Sequence, residues 1–289
     1  MTIKSIVVPV TGVPNDRQLL DFALAVAKQT GAHIRALFVR PDPRQLLAYT
    51  TPLDGDPWSL QRLADELEAD GVAAGKRAHE AFVHWCAQSD LSETEKATGA
   101  ARVTAGWCQE VGQPKATIGS IGGTADLVIM PGLGTEKAAR DPAEIEAALF
   151  ATGRPVLLVP PTPPADLLGS VIVAWNGSPE ANRAVAAALP LLSKAGRVGV
   201  FCEPERTRAG AKPDALIAYL AWHGIKAAVV PASAANASMA EKLFDAAARV
   251  HASLLVMGAY THSRVREMMF GGVTDHVLHH AVIPVLMAH

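Results

Sequence analysis

Glycines and hydroxyl residues gather late in the sequence, at a spacing that can hold an anion. The apolar run Leu254-Leu255-Val256-Met257 stops at Gly258, and a polar loop with Thr261, His262, Ser263, Arg264 and Arg266 follows. Gly271-Gly272-Val273-Thr274 then opens a helical pattern over 275–281, and Ile283-Pro284-Val285-Leu286-Met287 is the last apolar run. Glycine lets backbone N–H groups approach a phosphate closely, and a helix N-terminus adds partial positive charge. Thr274 offers a hydroxyl there, and Arg264 can neutralise phosphate charge. Glycines also serve ordinary turns, and an exposed loop with two arginines needs no ligand to explain it.

Other chemistry finds less support. His276 and His280 stand four apart on one helix face, a spacing that suits a metal, but no HExxH pattern and no third ligand accompany them. Surface histidines are the plainer reading. Cys86, Cys108 and Cys202 form no CxxC pair and read as free thiols of a reducing compartment. Cys86 and Cys108 each follow a tryptophan, Trp85 and Trp107, as core or interface residues do. Neither a GxSxG elbow nor a Gly-Lys-Ser/Thr phosphate loop is present, so no acid/base or nucleophile set can be assembled.

Strands and helices must position these residues, and they read twice along the sequence. Apolar runs at 5–10, 32–39, 102–108, 126–131 and 154–159 alternate with helical patterns at 15–30, 59–89, 113–122 and 142–150. Residues 41–57 read as irregular, with four prolines. The segment 41–89 carries Leu46, Leu47, Tyr49, Leu53, Trp58 and Leu60, more apolar surface than a solvated linker needs. It is expected to cover the first-half cleft, to contact another chain, or to form a satellite core. Pro160-Pro161-Thr162-Pro163-Pro164 is an extended linker. After it, runs at 170–174, 199–202, 225–230, 253–257 and 282–286 repeat the pattern. An internal βαβ repeat of this kind predicts two doubly wound α/β domains, 1–161 and 168–289, related by a pseudo-two-fold axis, each with its own sheet. Ligands bind such sheets at the carboxyl edge, where strand order reverses.

With 289 residues, 49% of them hydrophobic and 19% charged, the chain has ample core material and a composition unlike a disordered segment. A formal net charge of −2 gives no electrostatic footprint for nucleic acid. No run reaches the ~18 apolar residues of a membrane helix, and no signal sequence opens the chain, so a soluble cytoplasmic protein is expected.

The spacing of Gly258, Thr261 and Gly271-Gly272 resembles the nucleotide loop of the universal stress protein family, in which glycine, two residues, glycine, nine residues, glycine and Ser or Thr follow one another. The surrounding Gly258-Ala259-Tyr260-Thr261-His262-Ser263-Arg264 and Phe270-Gly271-Gly272-Val273-Thr274 are similar to its tandem-domain members. Thr261 stands where the family has its second glycine, and Gly272 where it has Ser or Thr. The resemblance implies Rossmann-like sheets of order 3-2-1-4-5 and an ATP-like nucleotide or small anion against Gly258, Thr261, Arg264, Gly271, Gly272, Val273 and Thr274. It places Asn176 where members commonly have an aspartate toward the adenosine, with Ala174 and Cys202 as candidate walls. Asn176 is equally a turn residue before Gly177-Ser178. The first half has Thr11 at that place and Gly132-Leu133-Gly134-Thr135 without a following glycine pair, while Asp141 and Glu144 bring negative charge. No nucleotide is expected there. The resemblance implies a non-catalytic stress-response module, with a homodimer and protein partners as further expectations. A nucleotide-free scaffold and a weak ATP hydrolase are the alternatives.

Overall fold

In a computed structural model the described residues are 2–50, 57–96, 102–133, 141–203, 207–208, 210–231, 237–259 and 272–289. The first half runs β1 (Ser5–Val10), α1 (Asn15–Thr30), β2 (His33–Arg40), α2 (Pro43–Thr50), α3 (Pro57–Gln88), β3 (Thr104–Val111), α4 (Pro114–Gly122), β4 (Leu127–Pro131), α5 (Pro142–Ala151) and β5 (Val156–Val159). The second runs β6 (Ser170–Ala174), α6 (Pro179–Leu192), β7 (Arg197–Phe201), α7 (Pro213–Trp222), β8 (Ala227–Val230), α8 (Met239–Arg249), β9 (Leu254–Gly258), α9 (Gly272–His280) and β10 (Val285–Ala288). The expected irregular stretch 41–57 therefore contains a helix. Pro43 can begin it because a proline at the first helical position lacks only an N–H that would be unpaired anyway, and the Asp42 carboxylate accepts the Arg44 N–H at 3.0 Å.

Strands follow the order β3-β2-β1-β4-β5-β10-β9-β6-β7-β8 in one ten-stranded sheet. Each half keeps the 3-2-1-4-5 order, but the expectation of two separate sheets is corrected. β5 and β10 pair antiparallel, Leu157 opposite Leu286, and every other pairing is parallel. The physical reason is that both last strands are wholly buried apolar edges, VLLV and VLMA, and neither could leave its backbone groups unpaired away from water.

Helices cover both faces. On one lie α1, α3, α6 and α7, whose Leu20, Phe82, Ala184 and Leu216 share a core. On the other lie α4, α5, α8 and α9, through Ile118, Ile145, Leu243 and Val277. Side chains of central strands alternate between the two cores, as Ile6 and Val7 do. α3 also reaches the carboxyl ends of the first strands. A Cβ on Gly12 would lie 3.2 Å from Ala78 Cβ, and one on Gly75 would lie 3.1 Å from Gln109 Oε1. α3 of the insertion thus packs on its own half, although Trp58 at its start stays 84% exposed, while Leu53 and the side chains of Leu46 and Tyr49 lie outside what the structure describes.

The ends of the sheet differ. Along β3, Ala105 donates to Ser92 O at 3.3 Å and accepts from Thr94 N at 2.8 Å, so a short segment runs beside that edge. Among the described residues, β8 pairs with β7 alone.

Candidate functional site

Chain connections leave neighbouring strands toward opposite faces at two places, between β1 and β4 and between β6 and β9. There α1 and α6 go to one core while α5 and α9 go to the other. A crevice opens at such a point beyond the carboxyl ends of the strands.

In the second half, β6 ends at the half-buried Ala174. Trp175 follows, its indole N–H donating to Asn182 Oδ1 at 2.8 Å. Asn176 Oδ1 accepts the Ser178 N–H at 3.0 Å, and its carbonyl accepts the Arg208 N–H at 2.9 Å. This is an Asx-turn, and Gly177 completes it at φ +74, a conformation glycine adopts without strain. Ser178 then caps α6, its Oγ accepting from Ala181 N at 3.2 Å. Cys202, just past β7, sits with Sγ 3.2 Å from Thr207 Oγ1. Beside it Glu203 Oε1 meets Lys242 Nζ of α8 at 3.3 Å, with side chains only 12% and 13% exposed, and Glu203 Oε2 is buried without a hydrogen-bond partner among the described residues.

Gly258 ends β9 against the first turn of α6. A Cβ there would lie 2.5 Å from Ala181 N and 2.8 Å from Glu180 C, so the glycine is required by backbone packing independently of any ligand. Glu180 Oε2 is buried without a hydrogen-bond partner among the described residues, while its Oε1 meets Arg183 at 2.9 Å. Arg183 Nε in turn donates to His289 O at 2.8 Å. α9 begins at the exposed Gly272, where a Cβ would meet nothing within 4 Å among the described residues, and continues with half-buried Val273 and Thr274, 7% exposed. The geometry thus brings Ala174, Asn176, Gly258 and the start of α9 to one carboxyl edge, with Cys202 at the end of the next strand. Thr261, Arg264 and Gly271 lie outside the described residues, as do Gly134 and Thr135.

The equivalent edge of the first half is filled from within. Asp16 Oδ2 accepts N–H groups from Thr11, Gly12 and Val13 at 2.8, 2.6 and 3.2 Å. Asp141 caps α5, accepting from Ala143 N at 2.9 Å, and pairs with Lys115 at 3.5 Å. An open cleft of about 420 Å³ is lined by Gln45 of α2, Glu110 of β3, and Gln113, Thr117 and Ser120 at α4.

Sequence reasoning missed Asp16, Glu180, Glu203 and Lys242. Asp16 had a signal, an acid just after a strand-end Thr-Gly; Glu203 and Lys242 lie 39 residues apart and carried none. His276 and His280 stack at 4.2 Å, with Phe244 beside His276 at 5.6 Å. Among the described residues no three His, Cys, Asp or Glu side chains converge as metal ligands. No helix among them is long and apolar enough to cross a membrane.

A doubly wound α/β sheet with a crevice at each reversal of strand order is a ligand-binding architecture of a known class. The sequence model of the universal stress protein family matches residues 2–122 and 168–289, and the chain belongs to that family. No curated protein matches it in sequence. Among solved structures, a universal stress protein from Archaeoglobus fulgidus DSM 4304 is 18% identical, with 98% of this chain and 97% of that chain covered at a TM-score of 0.72. A functionally unknown protein from Pseudomonas aeruginosa PAO1 is 17% identical over 98% of this chain and 92% of that one, at 0.53. A universal stress protein in complex with cAMP covers 56% of this chain and 100% of its own, at 16% identity and a TM-score of 0.29; at that score the likeness says nothing of this chain's ligand.

Proposed function

We propose that the chain is a non-catalytic, cytoplasmic stress-response module that binds an ATP-like nucleotide or a small anion in the crevice between β6 and β9, and that it works as a homodimer. The reading rests on family membership and on one contrast between the halves. α9 opens on an exposed glycine at which a Cβ would meet no described residue within 4 Å, whereas the corresponding α5 is capped by the Asp141 carboxylate. An anion meets helix N–H groups at the first and a fixed negative charge at the second. Phosphates lie against Gly258, Gly271, Gly272 and Thr274, with Thr261 and Arg264 beside them and the nucleoside near Ala174, Asn176 and Cys202.

Mass spectrometry of the denatured protein after purification, followed by calorimetry with ATP and with inorganic phosphate, tests this. Bound nucleotide or a heat of binding supports it, and Gly272→Ser then tightens ATP two- to tenfold, since a neutral hydrogen bond contributes about 0.5–1.5 kcal/mol. Absence of both leaves the second reading, a scaffold acting through protein contacts. That reading is favoured by Asn176, whose Oδ1 is already used in its own turn, and by Gly258, which α6 packing alone explains. ATP turnover that persists through repurification is the sign of the third, a weak hydrolase.

A further inference from the structure

His289 follows β10 and reaches the strand end at which the second-half crevice begins. Its Nδ1 lies 3.1 Å from Ala259 O, and Ala259 N donates to Ala288 O at 2.9 Å. A carbonyl only accepts, so the ring nitrogen facing it carries the proton. Two consecutive residues at the end of β10 thus bind both backbone groups of Ala259, the residue after Gly258. The N–H bond fixes the peptide plane on one side of Ala259. The ring bond fixes the plane on the other side, through which the chain leaves toward Thr261. The ring itself is held by the first half: Phe150 of α5 meets it edge-on, with centroids 4.6 Å apart and planes at 75°. The antiparallel junction makes this contact possible. Val156 lies opposite Met287, so the last turn of α5, which leads into β5, falls beside the carboxyl end of β10.

The repeat separates what belongs to the fold from what is particular to this edge. Gly12 and Gly177, both at positive φ, follow the first strands and set the two halves in register. Arg183, six residues past Gly177, donates from Nε to His289 O at 2.8 Å, and Gln18, six past Gly12, donates to Pro161 O. Both halves therefore tie the first helix to the chain beyond the last strand. Gly132, the counterpart of Ala259, likewise gives its N–H to Val159 O at 2.8 Å. There the likeness stops. The counterpart of His289 is Pro160, which has no side-chain donor for Gly132 O. That of Phe150 is His279, whose Nδ1 lies 2.9 Å from Asp275 O on its own helix. Among the described residues, a ring bonded to this carbonyl is found at the β6–β9 crevice alone.

We infer that His289, held in place by Phe150, is a positioning residue of that crevice. It sets the peptide plane after Ala259, and with it the course of the chain beside a bound phosphate. The inference rests on the nucleotide reading of the crevice. It gives the first half a part in binding although no ligand is assigned to that half.

Calorimetry of the full chain with ATP and with inorganic phosphate tests it, beside the urea midpoint of each ligand-free variant. His289→Phe keeps a ring against Phe150 and loses the donor, whereas His289→Asn keeps a donor near the place of Nδ1 and loses the ring. His289→Phe is expected to bind about two- to tenfold more weakly at an unchanged urea midpoint, the value of one neutral hydrogen bond. His289→Asn is expected to recover most of that loss. Phe150→Ala weakens binding in the same direction by less, and Gln18→Ala, at the tie both halves share, leaves it at the parent value. A parent that binds neither ATP nor phosphate overturns the crevice reading and this inference with it. Where the parent binds, three results overturn this inference alone: His289→Phe or Phe150→Ala binding as the parent does, His289→Asn as weak as His289→Phe, or Gln18→Ala weakening binding as much. A loss matched by a lowered urea midpoint makes His289 a residue of the fold and overturns it too.

Discussion

Leu157 and Leu286 face each other as Cα partners across β5 and β10, and they are the same residue of the two repeats. Pro155-Val156-Leu157-Leu158 corresponds to Pro284-Val285-Leu286-Met287. The flanking pairs are Val285 with Leu158 and Met287 with Val156, so the register is symmetric about the two leucines. The pseudo-two-fold axis of the chain therefore passes between them.

That position makes Leu286 a joint of the whole molecule. It is fully buried, and Leu286→Ala is expected to cost about 2–5 kcal/mol, the usual range for a leucine truncated in a packed core. Because the sheet is continuous, probes in both halves should unfold at the same urea concentration in parent and variant. Separate transitions for the two halves would mean that the strand junction does not couple them.

Gly258 separates packing from ligand binding. Gly258→Ala drives a Cβ into Ala181 N and Glu180 C, both backbone atoms that cannot turn aside. A loss of about 1–3 kcal/mol in thermal or urea denaturation is expected without any nucleotide present. Unchanged stability would show that α6 gives way freely and that the glycine answers only to the crevice.

Glu203 and Lys242 form a largely buried ion pair at the end of β7. Lys242→Met leaves the carboxylate uncompensated and should destabilise by about 3 kcal/mol. Glu203→Gln combined with Lys242→Met should lose clearly less than the single change. Additive losses in denaturant titrations would remove the coupling.

Acid sensitivity should arise at His33. Burial, and then the Arg35 charge, hold its pKa below the ordinary 6.5. The unfolded chain binds that proton more readily than the folded one. The stability contributed is thus complete above about pH 6.5 and is lost as pH falls through the lower folded value. His33→Asn, which can keep a hydrogen bond toward Thr104 Oγ1, should flatten that part of the stability profile. A slope unchanged by the substitution would assign it to another group.

The repeat was legible because buried parallel strands are continuous apolar runs and Pro155 and Pro284 mark the same place in each copy. The fusion into one sheet was not, since a sequence shows that an edge is apolar without showing what covers it. α2 was hidden by its prolines, which signal breaks unless one falls on a first turn. At the site, the glycine of β9 was visible but its cause was read as ligand approach, because contact with α6 is a tertiary fact. Asp16 stands at a helix start, where an acidic residue needs no further explanation, yet its carboxylate gathers three N–H groups of the preceding turn.

Asp16 is in effect a tethered ligand. An anion fixed by a few residues of chain competes at an effective concentration in about the millimolar range, without ever diffusing away. Any free phosphate that approached the first-half turn would have to displace it. The two crevices, built on one repeat, are thereby made unequal at their first turns as well as at their α5 and α9 helix starts.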